Sequence, residues 1–164
     1  MKPSPRIQPV ESAQALETVR VLLREYWDSF GFTPCFQNFG DELEGLPGAY
    51  APPSGRLALA AIDGEPAGCV ALRRVDAARA EPKRLYVRPA FRGYGLGRAL
   101  LEWVMNQARA QGYTELVGDT MPVMRDALAL YDRMGFERVG LGEPVQTSAL
   151  PHVSEQPILI RIKL

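Results

Sequence analysis

The sequence predicts an α/β domain with a mixed, mostly antiparallel sheet flanked by helices. Apolar side chains recur at helical spacing over residues 11–30, which predicts an amphipathic helix. Two apolar runs flank the segment Asp63-Gly64-Glu65-Pro66, whose Asp-Gly pair is favoured in hairpin turns, and this pattern predicts a β-hairpin. Strand and helix patterns then alternate from residue 83 onward, and this order predicts a strand-helix-strand crossover that places helices on the sheet faces.

The first half of the chain contains a helix, an irregular stretch and the hairpin. Ser12 is the candidate N-cap of the helix over residues 11–30. Glycines and prolines are frequent after this helix and leave room for one short helical turn at residues 41–46. An irregular stretch of this length in a compact domain often faces a substrate. The hairpin arms are predicted at residues 57–62 and 67–75.

The second half of the chain alternates strands with helices. The last predicted helix has a proline in its first turn and a glycine after its last turn, and both residues favour helix ends. Its predicted range, residues 122–134, begins at Pro122 and precedes Gly135. The other predicted elements are a helix at residues 95–110 and strands at residues 83–87, 115–118, 136–141 and 157–164.

Composition predicts one domain that spans residues 1–164. The chain has 164 residues and is 46% hydrophobic, which suffices for one compact core. Lys and Arg together number 19, as do Asp and Glu, so no overall charge favours a nucleic acid or a membrane surface as partner. Because no run of residues resembles a signal or membrane-spanning segment, we expect a cytoplasmic protein. The sequence leaves open whether the protein is a monomer or a homodimer.

The chain contains few residues of the types that bind metals or form disulfides. The two cysteines, Cys35 and Cys69, lack metal-ligand spacing and are expected to be free thiols. His152 is the sole histidine and lies in a polar stretch, which is typical of a surface residue. Since there is no histidine pair, Cys-x-x-Cys motif or dense carboxylate cluster, no metal is expected.

A glycine-rich loop, Arg92-Gly93-Tyr94-Gly95-Leu96-Gly97, lies between a predicted strand and a predicted helix. Glycines let a ligand approach the backbone, and the free N–H groups of a helix start favour a phosphate group. A dinucleotide fingerprint would need a third glycine at position 98, which is Arg98. A P-loop is excluded because the loop does not end in Gly-Lys-Ser/Thr. The loop therefore predicts a phosphate site of another kind.

The loop and its neighbours resemble the GCN5-related N-acetyltransferases. In that family a basic or amide residue, two variable positions, a glycine, a variable position and a glycine or alanine follow a strand, as Arg92, Gly95 and Gly97 do here. The resemblance covers about residues 81–137. It is carried by Lys83-Arg84-Leu85-Tyr86-Val87-Arg88-Pro89, Phe91-Arg92-Gly93, Gly97-Arg98-Ala99-Leu100-Leu101, Ala127-Leu128-Ala129-Leu130-Tyr131 and Gly135-Phe136.

The resemblance implies a site for acetyl-CoA between two central strands that splay apart. The pyrophosphate would lie against Arg92 and the backbone of Gly93, Tyr94, Gly95, Leu96, Gly97 and Arg98. The pantetheine arm would pair with the strand that contains Leu85, Tyr86 and Val87. Family members often carry an asparagine seven residues before the tyrosine of the last motif, where this chain has Met124. One hydrogen bond to the coenzyme is therefore not expected here.

The resemblance also implies two catalytic residues. Tyr131 matches the tyrosine that faces the coenzyme sulfur, so its phenol is the candidate proton donor, although its spacing also suits an apolar helix face. Glu81 is the candidate general base, and a solvated carboxylate at a strand end is the structural alternative. Asp119 is a second candidate base, or else a cap of the helix that follows.

The expected activity is acetyl transfer from acetyl-CoA to a primary amine by direct attack in a ternary complex. The alternative is a module that binds acyl-CoA without turnover. No motif identifies the amine. The irregular stretch after the first helix carries Phe32, Phe36, Phe39 and Tyr50, which are candidates for lining an acceptor pocket or for packing over the sheet.

Overall fold

The computed structural model describes residues 4–29, 39–122, 124–142, 145–146 and 154–164. Within this part of the chain, helices cover both faces of a seven-stranded mixed sheet. The predicted fold class is therefore confirmed. Four residues with sequence-based expectations lie outside the described residues: Phe32, Cys35, Phe36 and His152.

The main sheet has the strand order β1-β2-β3-β4-β5-β9-β6. Only β4 and β5 run parallel, and the other neighbours are antiparallel. The strands are β1 (Pro5–Pro9), β2 (Arg56–Ile62), β3 (Glu65–Arg74), β4 (Arg79–Val87), β5 (Glu115–Thr120), β6 (Glu137–Leu141) and β9 (Ile158–Lys163). Two short strands, β7 (Val145–Gln146) and β8 (Ser154–Glu155), form a separate pair.

Each face of the sheet has its own hydrophobic cluster. Helices α1 (Ala13–Asp28) and α2 (Phe39–Glu44) cover one face. Helices α3 (Leu96–Ala110) and α4 (Arg125–Arg133) cover the other face. Apolar side chains alternate between the two clusters along β3, as period-2 strand geometry requires: Cys69 and Ala71 face α1, whereas Val70 and Leu72 face α3.

Local sequence signals explain several of these elements. The Ser12 hydroxyl accepts a hydrogen bond from the Ala15 N–H over 3.1 Å, so it caps α1 as predicted. Asp63 and Gly64 both have positive φ, at 51° and 82°, which is the type I′ hairpin turn that an Asp-Gly pair favours. The predicted hairpin is thus confirmed.

One strand was not predicted and two predicted boundaries are wrong. The first strand of the described residues, β1, was not predicted because its terminal residues, Pro5 and Pro9, oppose strand formation; an edge position tolerates them. Strand β4 begins at Arg79 instead of residue 83, so Glu81 lies inside the strand and not upstream of it. Helix α4 begins at Arg125, because Pro122 belongs to a turn closed by the Met124 N–H and the Met121 carbonyl over 2.9 Å.

Neither a membrane-spanning helix nor a potential metal-binding group is present among the described residues. No described helix is long and apolar enough to cross a membrane. No group of three or more His, Cys, Asp or Glu side chains in the same residues is placed to hold a metal ion. Cys69 is a free and fully buried thiol.

Candidate active site

Strands β4 and β5 separate soon after they meet. Their register contains only the pairs Arg79 with Glu115 and Ala80 with Leu116. From Glu81 to Val87, the described part of β5 offers β4 no ladder partner on that side. The gap has the splayed geometry that the resemblance implies, and it leaves backbone donors and acceptors of β4 available to an extended ligand.

The glycine loop lies where β4 ends. A 3₁₀ turn (Pro89–Phe91) follows the strand, and helix α3 begins at Leu96 after Gly95 as its N-cap. Gly93 and Gly95 have φ values of +86° and +79°, and a Cβ added to either would meet nothing within 4 Å. No side chain caps α3, so its first N–H groups face open space. Phosphate oxygens fit the space between this loop and the start of α3, which we call the cradle.

The side chains of the remaining residues predicted to bind the coenzyme differ in their contacts and exposure. The Arg92 Nε donates to the Val87 carbonyl over 3.0 Å and ties the loop to the end of β4. The Arg98 guanidinium pairs with Glu102 over 2.9 Å on the helix surface. The Tyr94 side chain is 53% exposed.

Leu85, Tyr86 and Val87 alternate across the sheet near the gap. Leu85 and Val87 pack with the α3 cluster, whereas the Tyr86 ring belongs to the α1 cluster. The Tyr86 ring centroid lies 5.3 Å from that of Tyr26. An extended ligand in the gap would therefore meet Tyr86 through its backbone, not through its phenol.

A cavity of about 690 Å³ opens beside the gap, on the side of α1 and α2. Its walls come from α1, α2 and the following turn, from β3, β4 and β5, and from α4. Met124, which stands where the family often has asparagine, is one of the lining residues and offers a thioether in place of an amide. Its charged and phenolic lining residues include Arg73, Lys83, Arg84, Asp119 and Tyr131.

Tyr131 reaches this cavity from α4. Its side chain is only 7% exposed and packs edge-on against Phe136, with ring centroids 5.1 Å apart. Burial raises the pKa of the phenol to about 12, and the negative charges of Glu81 and Asp119 add to the shift. The phenol is therefore protonated throughout the physiological pH range.

Glu81 lies in a charged cluster on the α1 face of β3, β4 and β5. Its Oε1 accepts a hydrogen bond of 2.6 Å from the Arg73 Nε, and its Oε2 lies 3.7 Å from the Lys83 Nζ. The Lys83 Nζ also lies 3.7 Å from the Asp119 Oδ1. Glu81 is 6% exposed, whereas the Asp119 side chain is 45% exposed and lines the cavity. Asp119 thus lines the same cavity as Tyr131, whereas Glu81 is not among the lining residues and is connected to the cavity through Arg73 and Lys83, which both line it.

Arg84 is a site residue that the sequence did not identify. Arg84 and Leu85 stand opposite the single residue Val70, since Tyr86 pairs with Cys69 and Lys83 pairs with Ala71. This β-bulge gives Arg84 a positive φ of 59° and re-aims its side chain toward α2. A non-glycine residue in the left-handed region has no clear sequence signal, so pattern analysis could not find it.

The gap, the cradle and the cavity together suit a ligand with three parts: a pyrophosphate, an extended arm and a reactive end beside a buried phenol. Coenzyme A thioesters have this composition, and the residues present fit them. Fold and site therefore define a coenzyme A-dependent acyltransferase.

Comparison with known proteins identifies the family. The model of the Acetyltransferase (GNAT) family matches residues 16–136. The chain belongs to this family and is an acetyl-CoA-dependent acyltransferase. An uncharacterised N-acetyltransferase of Schizosaccharomyces pombe is 36% identical over 156 residues, which cover 93% of this chain and 94% of that protein.

Solved structures have the same fold. An acetyltransferase from Streptococcus agalactiae superposes with a TM-score of 0.78 at 22% identity and covers 98% of both chains. A GNAT family acetyltransferase from Elizabethkingia anophelis, solved with acetyl-CoA bound, has a TM-score of 0.70 at 24% identity and also covers 98% of both chains.

Proposed function

We propose that the protein transfers the acetyl group of acetyl-CoA to a primary amine by direct attack within a ternary complex. The observation that carries the proposal is the placement of the buried Tyr131 phenol where the β4–β5 gap meets a cavity of about 690 Å³. The gap suits the coenzyme arm, and the cavity leaves room for a second, small substrate. Both substrates then reach the same phenol at once.

Tyr131 is the proposed proton donor. Acetyl-CoA supplies the acetyl group as a thioester, whose sulfur departs as a thiolate that needs a proton. Because the pKa of Tyr131 is raised to about 12, the phenol keeps its proton at neutral pH. Among the described residues, the Tyr131 hydroxyl donates no hydrogen bond, so its proton is available to the departing sulfur.

Glu81 is the proposed general base. A primary alkylamine has a pKa of about 10 and is mostly protonated at neutral pH, so it must lose a proton before it attacks. Glu81 is hydrogen-bonded to Arg73 and faces Lys83, and both of these side chains line the cavity, which supports a position close to the second substrate. Because its carboxylate is buried and is not part of the cavity wall, the proton would reach it through a water molecule in the cavity.

Steady-state kinetics with both substrates varied test this proposal. A panel of primary amines is incubated with acetyl-CoA, and free coenzyme A and acetylated amine are measured together. We expect the two products in equal amounts and intersecting reciprocal plots, as a ternary complex requires. Tight acetyl-CoA binding without turnover of any amine would indicate a non-catalytic acyl-CoA-binding module, and parallel plots would indicate an acetylated enzyme.

A further inference from the structure

We propose that the amine acceptor is an α-amino acid, whose carboxylate binds to Arg73 and Lys83 in the cavity. This inference rests on the proposed acetyl transfer and adds the substrate class. It is carried by two cationic side chains whose hydrogen-bonding capacity is largely unused although both line the cavity.

Arg73 presents an unoccupied guanidinium edge. Its Nε is fixed by the 2.6 Å hydrogen bond to Glu81, which orients the plane of the group. Within the part of the chain that the structure describes, its two terminal nitrogens donate to nothing, and the side chain is 42% exposed. A guanidinium edge of this kind matches the two oxygens of a carboxylate.

Lys83 stands on the same face of the sheet as Arg73. Its ammonium is 3.7 Å from the nearest oxygens of Glu81 and Asp119, which is longer than a hydrogen bond, and its side chain is 19% exposed. Arg73 and Lys83 both contact the Glu81 carboxylate, one at each oxygen, so two positive charges share one buried negative charge. With Asp119, which Lys83 also faces, the cluster holds two positive and two negative charges, so an anion is attracted by the unused donors of Arg73 and Lys83 and not by an excess of positive charge.

The coenzyme phosphates do not account for this pair of cations. Glu81 and Val87 are six residues apart on β4, or about 20 Å along an extended strand, and the glycine loop follows Val87. The pyrophosphate cradle and the Arg73–Lys83 pair thus lie at opposite ends of the strand. The anion bound by the pair must belong to the second substrate.

The charges around the cavity indicate where the amine lies relative to the carboxylate. Because Glu81 occupies the Arg73 Nε, an incoming carboxylate binds the terminal nitrogens, and its carbon chain points away from the guanidinium into the cavity. Asp119 lines the same cavity and lies 3.7 Å from the Lys83 ammonium, so a negative charge that favours an ammonium stands next to the cations that favour a carboxylate. An amine one carbon away from a carboxylate suits charges of opposite sign placed this close together. Leu46, Met121 and Met124 provide apolar walls for a side chain.

Calorimetric binding to the protein saturated with free coenzyme A tests this inference without relying on turnover. The probes are the common α-amino acids, followed by the primary amide and the decarboxylated amine that correspond to the tightest-binding acid. Arg73→Gln removes the positive charge while its amide can still donate to Glu81, and Arg73→Lys keeps the charge without the planar fork. Arg74→Gln is the matched control, since Arg74 is the next residue, is exposed and does not line the cavity.

We expect the acid to bind about 10- to 100-fold more tightly than its amide or amine, as a charge-assisted pair would give. Arg73→Gln should abolish this preference, Arg73→Lys should reduce it, and Arg74→Gln should leave it unchanged, with equal coenzyme affinity in all four proteins. The inference is overturned if no α-amino acid binds, or if the amide binds as well as the acid. It is also overturned if Arg73→Gln leaves the preference intact.

The same samples separate this inference from the proposed function. If the acid binds as expected but acetyl-CoA yields no acetylated product, the proposed transfer fails while the carboxylate site stands. If α-amino acids and the corresponding decarboxylated amines are acetylated with equal kcat/KM, and Arg73→Gln lowers neither value, the transfer stands and the carboxylate site fails.

Discussion

The Arg84 guanidinium binds the Glu42 carboxylate through two hydrogen bonds, Nε to Oε2 at 2.7 Å and Nη2 to Oε1 at 2.8 Å. The same guanidinium lies 4.7 Å from the centroid of the Trp27 ring, which stacks on Phe39. The Tyr50 hydroxyl donates to the same carboxylate over 2.9 Å. This contact fastens α2, one wall of the cavity, to the bulge of β4.

Neutralising Glu42 should loosen this wall. Glu42→Gln replaces a charge-assisted bidentate pair in a partly buried site, so we expect a loss of about 2 kcal/mol in the free energy of unfolding. The KM for the acceptor should rise about tenfold, whereas the affinity for acetyl-CoA should not change, since the glycine loop is remote from α2. Glu44→Gln, an exposed position on the same helix, is the control. An equal effect of both variants would contradict the assigned role of Glu42.

Gly95 should be required for acetyl-CoA binding rather than for folding. Gly95→Val places a side chain in the space before the start of α3 and forces a β-branched residue to a φ of +79°. Gly64→Val is a close match, with a φ of +82° and no neighbour within 4 Å of its added Cβ, but it lies in the hairpin turn. We expect similar losses of stability, about 1–2 kcal/mol, in thermal unfolding. Only Gly95→Val should lose measurable affinity for acetyl-CoA in calorimetry.

Tyr131 should make the protein less stable at alkaline pH. Its pKa is about 12 when folded and about 10 when unfolded, because burial and then the charges of Glu81 and Asp119 oppose ionisation. Its contribution is complete below pH 10 and is lost as the pH rises toward 12. Over that interval the free energy of unfolding should fall by about 1.4 kcal/mol per pH unit from this residue alone. Tyr131→Phe should remove that part of the slope in urea titrations, and an unchanged slope would refute the assignment.

The two carboxylates near Tyr131 should differ in their effects on turnover. Glu81→Gln should lower kcat about 100-fold or more, the usual magnitude for a general base. Asp119→Asn should lower kcat less than tenfold and act mainly on acceptor KM. In Glu81→Gln only amine that is already unprotonated can attack. Its fraction, and therefore the rate, should increase about tenfold per pH unit up to the pKa of the amine, about 10. A larger effect of Asp119→Asn on kcat would transfer the role of base to Asp119.

The sequence predicted the parts of this molecule that depend on local pattern. Hydrophobic period, the Ser12 cap and the Asp63-Gly64 turn predicted α1 and the hairpin, and the glycines from Gly93 to Gly97 predicted the loop before α3. These signals act within a few residues, so they can be read without the tertiary structure.

The contacts that organise the cavity could not be predicted in this way. The Arg73–Glu81 pair depends on the register of β3 and β4, and the Arg84–Glu42 pair joins residues 42 positions apart through a bulge. Strand β1 was missed because an edge position is a property of the assembled sheet and not of the segment Pro5–Pro9. Long-range pairing therefore determines the chemistry of the cavity.

The most direct test of the proposed mechanism is the kcat of Tyr131→Phe at pH 7.5 with saturating acetyl-CoA and the best acceptor. This change removes the phenolic proton and little volume. We predict a kcat lowered about 100-fold or more with an unchanged dissociation constant for acetyl-CoA, whereas Tyr113→Phe, which loses a hydrogen bond to Ser54 outside the cavity, should retain kcat. A Tyr131→Phe protein with wild-type kcat would show that the phenol does not protonate the departing sulfur.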